Sequence, residues 1–238
     1  MQCVILAAGR GVRMGEATKE IPKHLLPVAG KSILEYTFNE LPRQIDEVIF
    51  VVGYLGGQIK KKFGHKYKRF KIRYVQQKER KGTGHALKIC QPYLKGKFMV
   101  LMGDDLYCQT DLARCLRRDL CLLACQKKYE GKGGVLKLAP DGRLLEVLES
   151  PKIPPSDLIN TGTYVLDKRF FDYPLVAYQN HDGNTEYGLP QTVALMAKDL
   201  PIYIEKAAKW FAVTRPEDII KAEEWLDGNL KTQITNYK

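Results

Sequence analysis

The first chemically informative segment is a glycine-rich stretch at residues 6–14 (Leu-Ala-Ala-Gly-Arg-Gly-Val-Arg-Met), which follows an apolar run. Small residues let backbone N–H groups approach a phosphate chain closely, and Arg13 adds a planar cation that can hold phosphate oxygens. By itself such a loop is equally typical of an ordinary turn or a dinucleotide site, and the G-x-G-x-x-G pattern is absent. The loop therefore indicates phosphate binding only in combination with other residues.

A lysine flanked by prolines supplies a second cation, in residues 21–31 (Ile-Pro-Lys-His-Leu-Leu-Pro-Val-Ala-Gly-Lys). In-line displacement at phosphorus builds charge on the phosphoryl oxygens, and fixed cations stabilise that charge. A lysine in a proline-bounded loop is expected to add little to the core. Lys23 is therefore a candidate for catalysis rather than for folding.

Together the two segments resemble the signature of the sugar-1-phosphate nucleotidylyltransferases, L-A-A-G-x-G-x-R-M followed by P-K-x-L-L-P-V-x-G-K. The resemblance extends over about residues 1–226. It implies an enzyme that joins a nucleoside triphosphate to a sugar 1-phosphate and releases pyrophosphate, with Mg²⁺ as cofactor. It also implies that Arg13 holds the β- and γ-phosphates and that Lys23 supports the phosphates at the reacting centre. The nucleotide site that it implies comprises Leu6, Ala7, Ala8, Gly9, Gly11, Arg13, Lys23, Gln77, Gly82 and Thr83.

Residues 75–86 resemble the base-recognition segment of that family, Q-x(4)-G-T-G-H-A. The match implies that Gln77 and the Gly82 backbone contact the edge of a pyrimidine, since an amide donates and accepts while an N–H meets a carbonyl oxygen. The G-T-G-H-A form resembles the uridylyl more than the thymidylyl branch, so UTP is favoured and dTTP stays open. A plain helix N-terminus at Thr83 is the alternative. His85 is expected to be structural.

Two adjacent carboxylates, Asp104 and Asp105, follow an apolar run at 98–102. Mg²⁺ in proteins takes one or two carboxylates together with phosphate oxygens and water. The G-D motif of the family points to Asp104 as the metal ligand and as a third catalytic residue. Asp105 remains an alternative ligand, and a surface turn without a metal remains an alternative explanation.

Three segments of the second half resemble the sugar-binding motifs Y-G-V-V, E-K-P and N-T-G of the family. The match implies that the sugar is contacted by Gly134, Glu149, Asn160 and Thr161. A carboxylate and an amide can each bind two polar groups of a sugar, which orients the substrate without acid–base chemistry. In isolation each of these residues would more often belong to a turn.

Two positions depart from the pattern. Ser150 replaces the E-K-P lysine that meets the sugar phosphate, and Lys152 could stand in for it. Ala212 replaces the aspartate of W-x-D-V, the usual second metal ligand. These departures leave open a second hypothesis, in which a non-catalytic protein of the same fold binds a nucleotide or nucleotide sugar.

The elements that must position these residues alternate between apolar runs and amphipathic stretches. Predicted strands cover 3–8, 47–52, 72–76, 98–102 and 121–125, and predicted helices cover 32–41, 57–63, 83–92 and 111–118. This alternation predicts an α/β fold with a Rossmann-like, doubly wound, mostly parallel sheet. Ligands bind beyond the carboxyl ends of the strands in such sheets, where the informative residues fall.

The second half is predicted to be a sugar-binding extension, with strands at 135–138, 144–148 and 163–166 and helices at 187–198 and 216–226. We predict one domain over residues 1–238. Its nucleotide-binding part covers about 1–130 and its sugar-binding part about 131–227, and a polar, frayed tail covers 228–238.

The formal net charge of +11 is concentrated at residues 60–73, which suits polyanionic partners. No nucleic-acid-binding motif accompanies it, so we expect a solvated helix end and loop and no nucleic-acid partner. The six cysteines form no C-x-x-C pair, which predicts reduced, mostly buried thiols rather than a zinc site or disulfides.

No run approaches the roughly 18 apolar residues that cross a membrane. Positive charge follows the first apolar run instead of preceding it, unlike a signal peptide. We therefore expect no membrane partner and a cytoplasmic location. The oligomeric state stays open.

Overall fold

The computed structural model describes residues 1–179 and 183–235, and it describes side chains in the last helix as far as Asp227. The side chains of the predicted polar tail lie outside the described residues. The strands are β1 (Gln2–Ala7), β2 (Pro27–Val28), β3 (Lys31–Ser32), β4 (Glu47–Val52), β5 (Lys66–Tyr67), β6 (Phe70–Gln76), β7 (Phe98–Met102), β8 (Asp105–Leu106), β9 (Cys121–Gln126), β10 (Gly134–Leu138), β11 (Leu144–Glu149), β12 (Leu158–Leu166), β13 (Ala177–Gln179), β14 (Thr185–Tyr187), β15 (Tyr203–Lys206) and β16 (Phe211–Ala212). The helices are α1 (Ile33–Glu40), α2 (Gly56–Phe63), α3 (Gly82–Lys88), α4 (Gln109–Cys115), α5 (Leu189–Met196) and α6 (Glu217–Thr235).

Among the described residues, ten strands form one sheet in the order β11-β10-β12-β7-β1-β4-β6-β5, with β9 paired to β12 and β15 paired to β9. The neighbours β7, β1, β4 and β6 are all parallel. Antiparallel pairs join the second half to this sheet, through β12 against β7 and β9. The α/β class and the mostly parallel, Rossmann-like central sheet are thereby confirmed.

Both faces of the central strands are covered, which explains why β1, β4 and β7 are almost continuously apolar. Successive side chains of a strand point to opposite faces. Val4 and Leu6 of β1 therefore pack in one cluster with α3 and α5, whereas Cys3 and Ile5 pack in a second cluster with α1 and α2. The predicted strands of the N-terminal half are confirmed within a residue or two.

One predicted helix is shorter than its pattern suggested. The helix expected over 83–92 ends at Lys88, and a 3₁₀ turn follows at Gln91–Tyr93. Pro92 lacks the N–H that an α-helix would need at that point and its ring clashes with the preceding turn.

No α-helix among the described residues combines the length and the apolar character needed to span a bilayer. All six cysteines are free thiols, and four of them, Cys3, Cys90, Cys115 and Cys121, are buried. The prediction of mostly buried thiols is confirmed.

Candidate active site

Three loops meet at one edge of the sheet because they follow parallel strands. Gly9 follows β1, Gln77 follows β6 and Asp104 follows β7. They line two adjoining pockets of about 290 Å³ each, here called the Gln77 pocket and the Arg13 pocket. Gly9, His24 and Asp104 line both, so the two pockets form one continuous cleft.

Most residues predicted to bind the nucleotide line this cleft. Leu6, Ala8, Gly9, Gln77, Gly82 and Thr83 line the Gln77 pocket, and Gly9, Gly11, Arg13 and Lys23 line the Arg13 pocket. Ala7 is the exception. Its side chain is fully buried among the α1 and α2 side chains on one face of the sheet, so only its backbone is available to a ligand.

The loop that carries Arg13 is held at its base by local hydrogen bonds. The Met14 N–H donates to the Gly11 carbonyl at 2.8 Å, and the Thr18 hydroxyl donates to the same oxygen at 3.1 Å. The Met14 side chain is buried and anchors the turn. Arg13 itself is exposed at the wall of its pocket, so its guanidinium is available to an anionic ligand.

Lys23 and Asp104 form an ion pair between the two pockets, with Nζ 2.5 Å from Oδ2. The Lys23 side chain is 8% exposed and that of Asp104 is 33% exposed. Burial opposes ionisation of Asp104, but the charge and hydrogen bond of the Lys23 ammonium, together with smaller contributions from His24 and the backbone, lower the pKa of that carboxyl below its usual value. The expectation that Lys23 contributes little to the packed structure is wrong, because the lysine is buried and neutralises a carboxylate.

Asp105 has a different environment from Asp104 although the two are adjacent. It is buried, and the Trp210 indole N–H donates to its Oδ2 at 3.0 Å. Burial, together with the charge of Asp104, raises the pKa of Asp105 well above its usual value. In the short pair of β8 and β16, Ala212 lies opposite Asp105, and a methyl group offers no ligand there. Asp104 lines both pockets and Asp105 lines neither of them.

Gln77 is fixed by its neighbours in the chain. Its side chain is 6% exposed, and its amide nitrogen donates to the Gly82 carbonyl at 3.1 Å and lies 3.2 Å from His85 Nδ1. His85 thus orients Gln77, in agreement with the structural role predicted for it. A hydrogen bond from β14 also holds the start of α3, because the Tyr187 N–H donates to the Lys81 carbonyl at 2.8 Å.

The four residues predicted to bind the sugar lie on neighbouring strands. Gly134 pairs with Glu149 in the β10–β11 ladder, and Asn160 follows Ile159, which pairs with β10. Asn160 donates to the Tyr164 hydroxyl at 2.7 Å and accepts from the Gly162 N–H at 2.9 Å. The buried Thr161 hydroxyl donates to the Leu123 carbonyl at 2.8 Å, so this hydroxyl is already bonded within the protein.

The Asn160–Gly162 turn packs against Met102 at the side of the cleft. Gly162 has φ of 72°, and an added Cβ there would lie 2.5 Å from Met102 Cγ. Met102 lines the Gln77 pocket. The Asn160–Gly162 turn therefore lies against a residue that lines the pocket, although none of the four candidate sugar residues lines it.

Comparison with known proteins decides the family. The model of the nucleotidyl transferase family matches residues 2–227. This chain belongs to that family. The UTP–glucose-1-phosphate uridylyltransferase AglF of Haloferax volcanii is 30% identical over 207 residues, which cover 83% of this chain and 84% of that protein.

Two further comparisons concern the length and the fold of this nucleotidyl transferase. The bifunctional protein GlmU of Methanocaldococcus jannaschii is 30% identical over 236 residues, 98% of this chain and 56% of GlmU, so the chain spans little more than half of that relative. The structure of a UDP-glucose pyrophosphorylase from Acinetobacter baumanii superposes with a TM-score of 0.81 at 19% identity, covering 100% of this chain and 99% of that one, which shows the fold alone.

The structure adds cleft residues that the sequence motifs of this nucleotidyl transferase did not single out. His24, Arg80, Met102 and Glu186 line the Gln77 pocket. His24 occupies the variable position of P-K-x-L-L-P, and the others lie outside the motif positions taken as sites. His24 is 4% exposed, and its burial lowers its pKa to about 4, so the ring is neutral at physiological pH.

The basic stretch at residues 60–73 makes several contacts within the domain. The Arg69 guanidinium donates to the Leu41 and Pro42 carbonyls at 3.0 and 2.9 Å, and Lys62 pairs with Glu35 at 2.6 Å. All eight lysines and arginines of this stretch are nevertheless exposed, which agrees with the prediction of a solvated helix end and loop.

Proposed function

We propose that this nucleotidyl transferase moves a nucleotidyl group from UTP, or from dTTP, to a sugar 1-phosphate and releases pyrophosphate. The observation that supports this most directly is the shared cleft, in which an oriented amide, a glycine loop with Arg13, and the Lys23–Asp104 pair converge. The name of the AglF relative, a UTP–glucose-1-phosphate uridylyltransferase, agrees with a uridine nucleotide and favours UTP over dTTP.

In the proposed complex the base lies near Gln77 and the terminal phosphates lie over Gly9–Arg13. The Gln77 amide nitrogen is engaged by Gly82 and His85, so Gln77 offers its amide oxygen as an acceptor in a fixed plane, and Gly82 contributes its backbone N–H beside it. Arg13 binds phosphate oxygens by its planar fork, and Lys23 acts as a point charge. A phosphate oxygen of the sugar 1-phosphate is already ionised and attacks the α-phosphorus directly, so positioning and charge stabilisation account for the rate.

A magnesium ion is proposed as the cofactor, with Asp104 as its protein ligand. No cluster of three or more His, Cys, Asp or Glu side chains in the described part of the chain is arranged to hold a metal ion. A single carboxylate suits Mg²⁺ that arrives with a triphosphate and keeps its waters, and does not suit an ion held by protein alone. When bound there, the ion neutralises charge on the phosphates.

Gly134, Glu149, Asn160 and Thr161 are proposed to bind the sugar, with Thr161 contributing through its backbone. Lys152, exposed in the segment after β11, is proposed to meet the sugar phosphate in place of the lysine that Ser150 replaces. Six free thiols agree with a reducing, cytoplasmic location.

Ala212 is the observation that favours a second candidate function. Its methyl group stands where the family pattern has a metal-binding carboxylate, so a protein that binds the nucleotide but turns over weakly, or not at all, is the alternative. Neither hypothesis includes nucleic acid.

Steady-state release of pyrophosphate tests the two functions against each other. UTP and dTTP are each combined with glucose 1-phosphate and N-acetylglucosamine 1-phosphate, with and without Mg²⁺, and the Asp104→Asn variant serves as the control. Mg²⁺-dependent turnover that the variant loses supports the transferase. Nucleotide-induced stabilisation in a thermal-shift assay, without turnover of any pair, supports the binding protein.

A further inference from the structure

His24 lies where the Gln77 pocket and the Arg13 pocket join. It is one of three residues that line both, together with Gly9 and Asp104. The ring is packed against the end of β7, because a Cβ added at Gly103 would lie 2.9 Å from His24 Cδ2. With 4% of the residue exposed, its position is set by the protein around it.

The two ring nitrogens of His24 differ in their access to the cleft. Nδ1 is completely buried, and no residue that the structure describes forms a hydrogen bond with it. Nε2 makes no hydrogen bond to any described residue either, but it is not among the completely buried atoms. Burying an N–H group without an acceptor is costly. The ring therefore has a proton on Nε2 and presents a donor to the cleft.

This arrangement is unsuited to a metal ligand. A histidine that binds a metal through Nε2 carries its proton on Nδ1, and it almost always donates that proton to a carboxylate, a carbonyl or water. Nδ1 of His24 lacks such an acceptor. The ring is thus arranged to donate to an anion rather than to bind a cation beside Asp104.

The path of the nucleotide identifies that anion, and this step rests on the proposed function. With the base at Gln77 and the terminal phosphates at Arg13, the α-phosphate must pass the junction of the two pockets. We infer that His24 donates a hydrogen bond from Nε2 to an oxygen of the nucleotide α-phosphate. This is the phosphoryl group under attack, so the donor stabilises charge that grows in the transition state, and no proton needs to move.

Binding measurements on a nucleotide series test the contact without turnover. Wild type, His24→Gln and His24→Leu are titrated with uridine, UMP and UDP in metal-free buffer, and melting temperatures are followed. We expect His24→Leu to weaken UMP and UDP about tenfold, the usual cost of a hydrogen bond to a charged group, and to leave uridine within about twofold. His24→Gln, whose amide nitrogen lies near the position of Nε2, is expected to retain UMP affinity within about threefold.

A further variant keeps the test decisive if His24→Leu does not fold. His24→Asn is smaller than histidine and places its amide near Nδ1, so it should lose UMP affinity as His24→Leu does, even if the leucine variant is unstable. Equal losses for uridine and UMP would assign His24 to the ribose or base and overturn the inference. So would a glutamine variant as weak as the leucine variant, or Mn²⁺ stabilisation of the nucleotide-free wild type that His24→Leu abolishes.

Failure of the proposed function gives a different binding result from failure of the inference about His24. If wild type binds neither uridine nor UMP, the same variants are titrated with adenosine and AMP and with guanosine and GMP. A loss confined to the phosphorylated ligand then retains the role of His24 while the pyrimidine assignment fails. If none of these ligands binds to wild type, the inference about His24 is wrong as well.

Discussion

Lys23 and Asp104, which lie 81 residues apart in the chain, form an ion pair with Nζ 2.5 Å from Oδ2. The pair joins the loop after β1 to the loop after β7 and stands between the two pockets of the cleft. One lysine therefore neutralises a carboxylate in the free protein and faces the site proposed for the phosphates. Its removal should affect folding and turnover separately.

Lys23→Met keeps most of the aliphatic stem and removes the ammonium group. We expect turnover to fall on the order of a hundredfold, as when a fixed charge-stabilising donor is removed. The free energy of unfolding should fall by about 1–3 kcal/mol because the Asp104 carboxylate loses its partner. Pyrophosphate release and urea unfolding measure the two effects.

The double variant Lys23→Met/Asp104→Asn separates the effect on turnover from the effect on stability. Neutralising both partners should restore most of the lost stability, since no unpaired charge remains, while turnover stays low. If the single variant retains full turnover in a protein shown to be active, Lys23 is not part of the phosphate site. If the double variant is as unstable as the single one, the ion pair is not the source of the loss.

Gln77→Ala should weaken UTP binding about tenfold, which corresponds to roughly 1.4 kcal/mol, and should reduce the preference for uridine over other bases. The reason is that the oriented amide is the proposed contact to the base edge. The neighbouring Gln76→Ala is the matched control, because Gln76 is exposed at the end of β6. Unchanged affinity and base preference in the Gln77 variant would remove this residue from the base site.

Ala212→Asp places a carboxylate beside the Asp104–Asp105 pair, since Ala212 lies opposite Asp105. Mg²⁺-dependent pyrophosphate release should rise at least about tenfold, which is a gain of roughly 1.4 kcal/mol in barrier height. Ala212→Leu adds bulk without a ligand and should give no gain. No increase across several sugar phosphates, with Mg²⁺ or with Mn²⁺, would show that the missing carboxylate does not limit this protein.

Glu35 should make the free energy of unfolding depend on pH in the acidic range below the ordinary pKa of a glutamate. Partial burial opposes its ionisation, but hydrogen bonds from Lys62 and Ser32 outweigh burial and lower its pKa to about 2. Because the folded-state pKa lies below the unfolded value, the stabilisation is present above about pH 4.5 and is lost as the pH falls toward 2.

Glu35→Gln tests this contribution. It should lower the free energy of unfolding at pH 7 by about 1 kcal/mol, the usual worth of a helix cap, and weaken the loss of stability between pH 4.5 and pH 3. Glu16→Gln is the control, since Glu16 pairs with Lys19 on the exposed surface. Equal pH profiles of wild type and the Glu35 variant would contradict the prediction.

Much of the candidate site was predictable from the sequence because it is built from local units. Each apolar run predicts a strand, and parallel strands place their carboxyl ends at one edge of the sheet. Arg13, Gln77 and Asp104 follow three such runs, so their meeting in one cleft required no knowledge of the packing. The motif indicates only a preference for Asp104 over Asp105, and the structure adds the Trp210 hydrogen bond that distinguishes them.

The tertiary structure decided which side chains face the cleft and which are already occupied. Ala7 and Thr161 belong to the predicted motifs, yet their side chains are buried or bonded elsewhere. His24 and Glu186 line the Gln77 pocket although no motif singled them out. The physical reason is that a motif specifies local backbone geometry, whereas the burial and partners of a side chain depend on segments that pack together from distant parts of the chain.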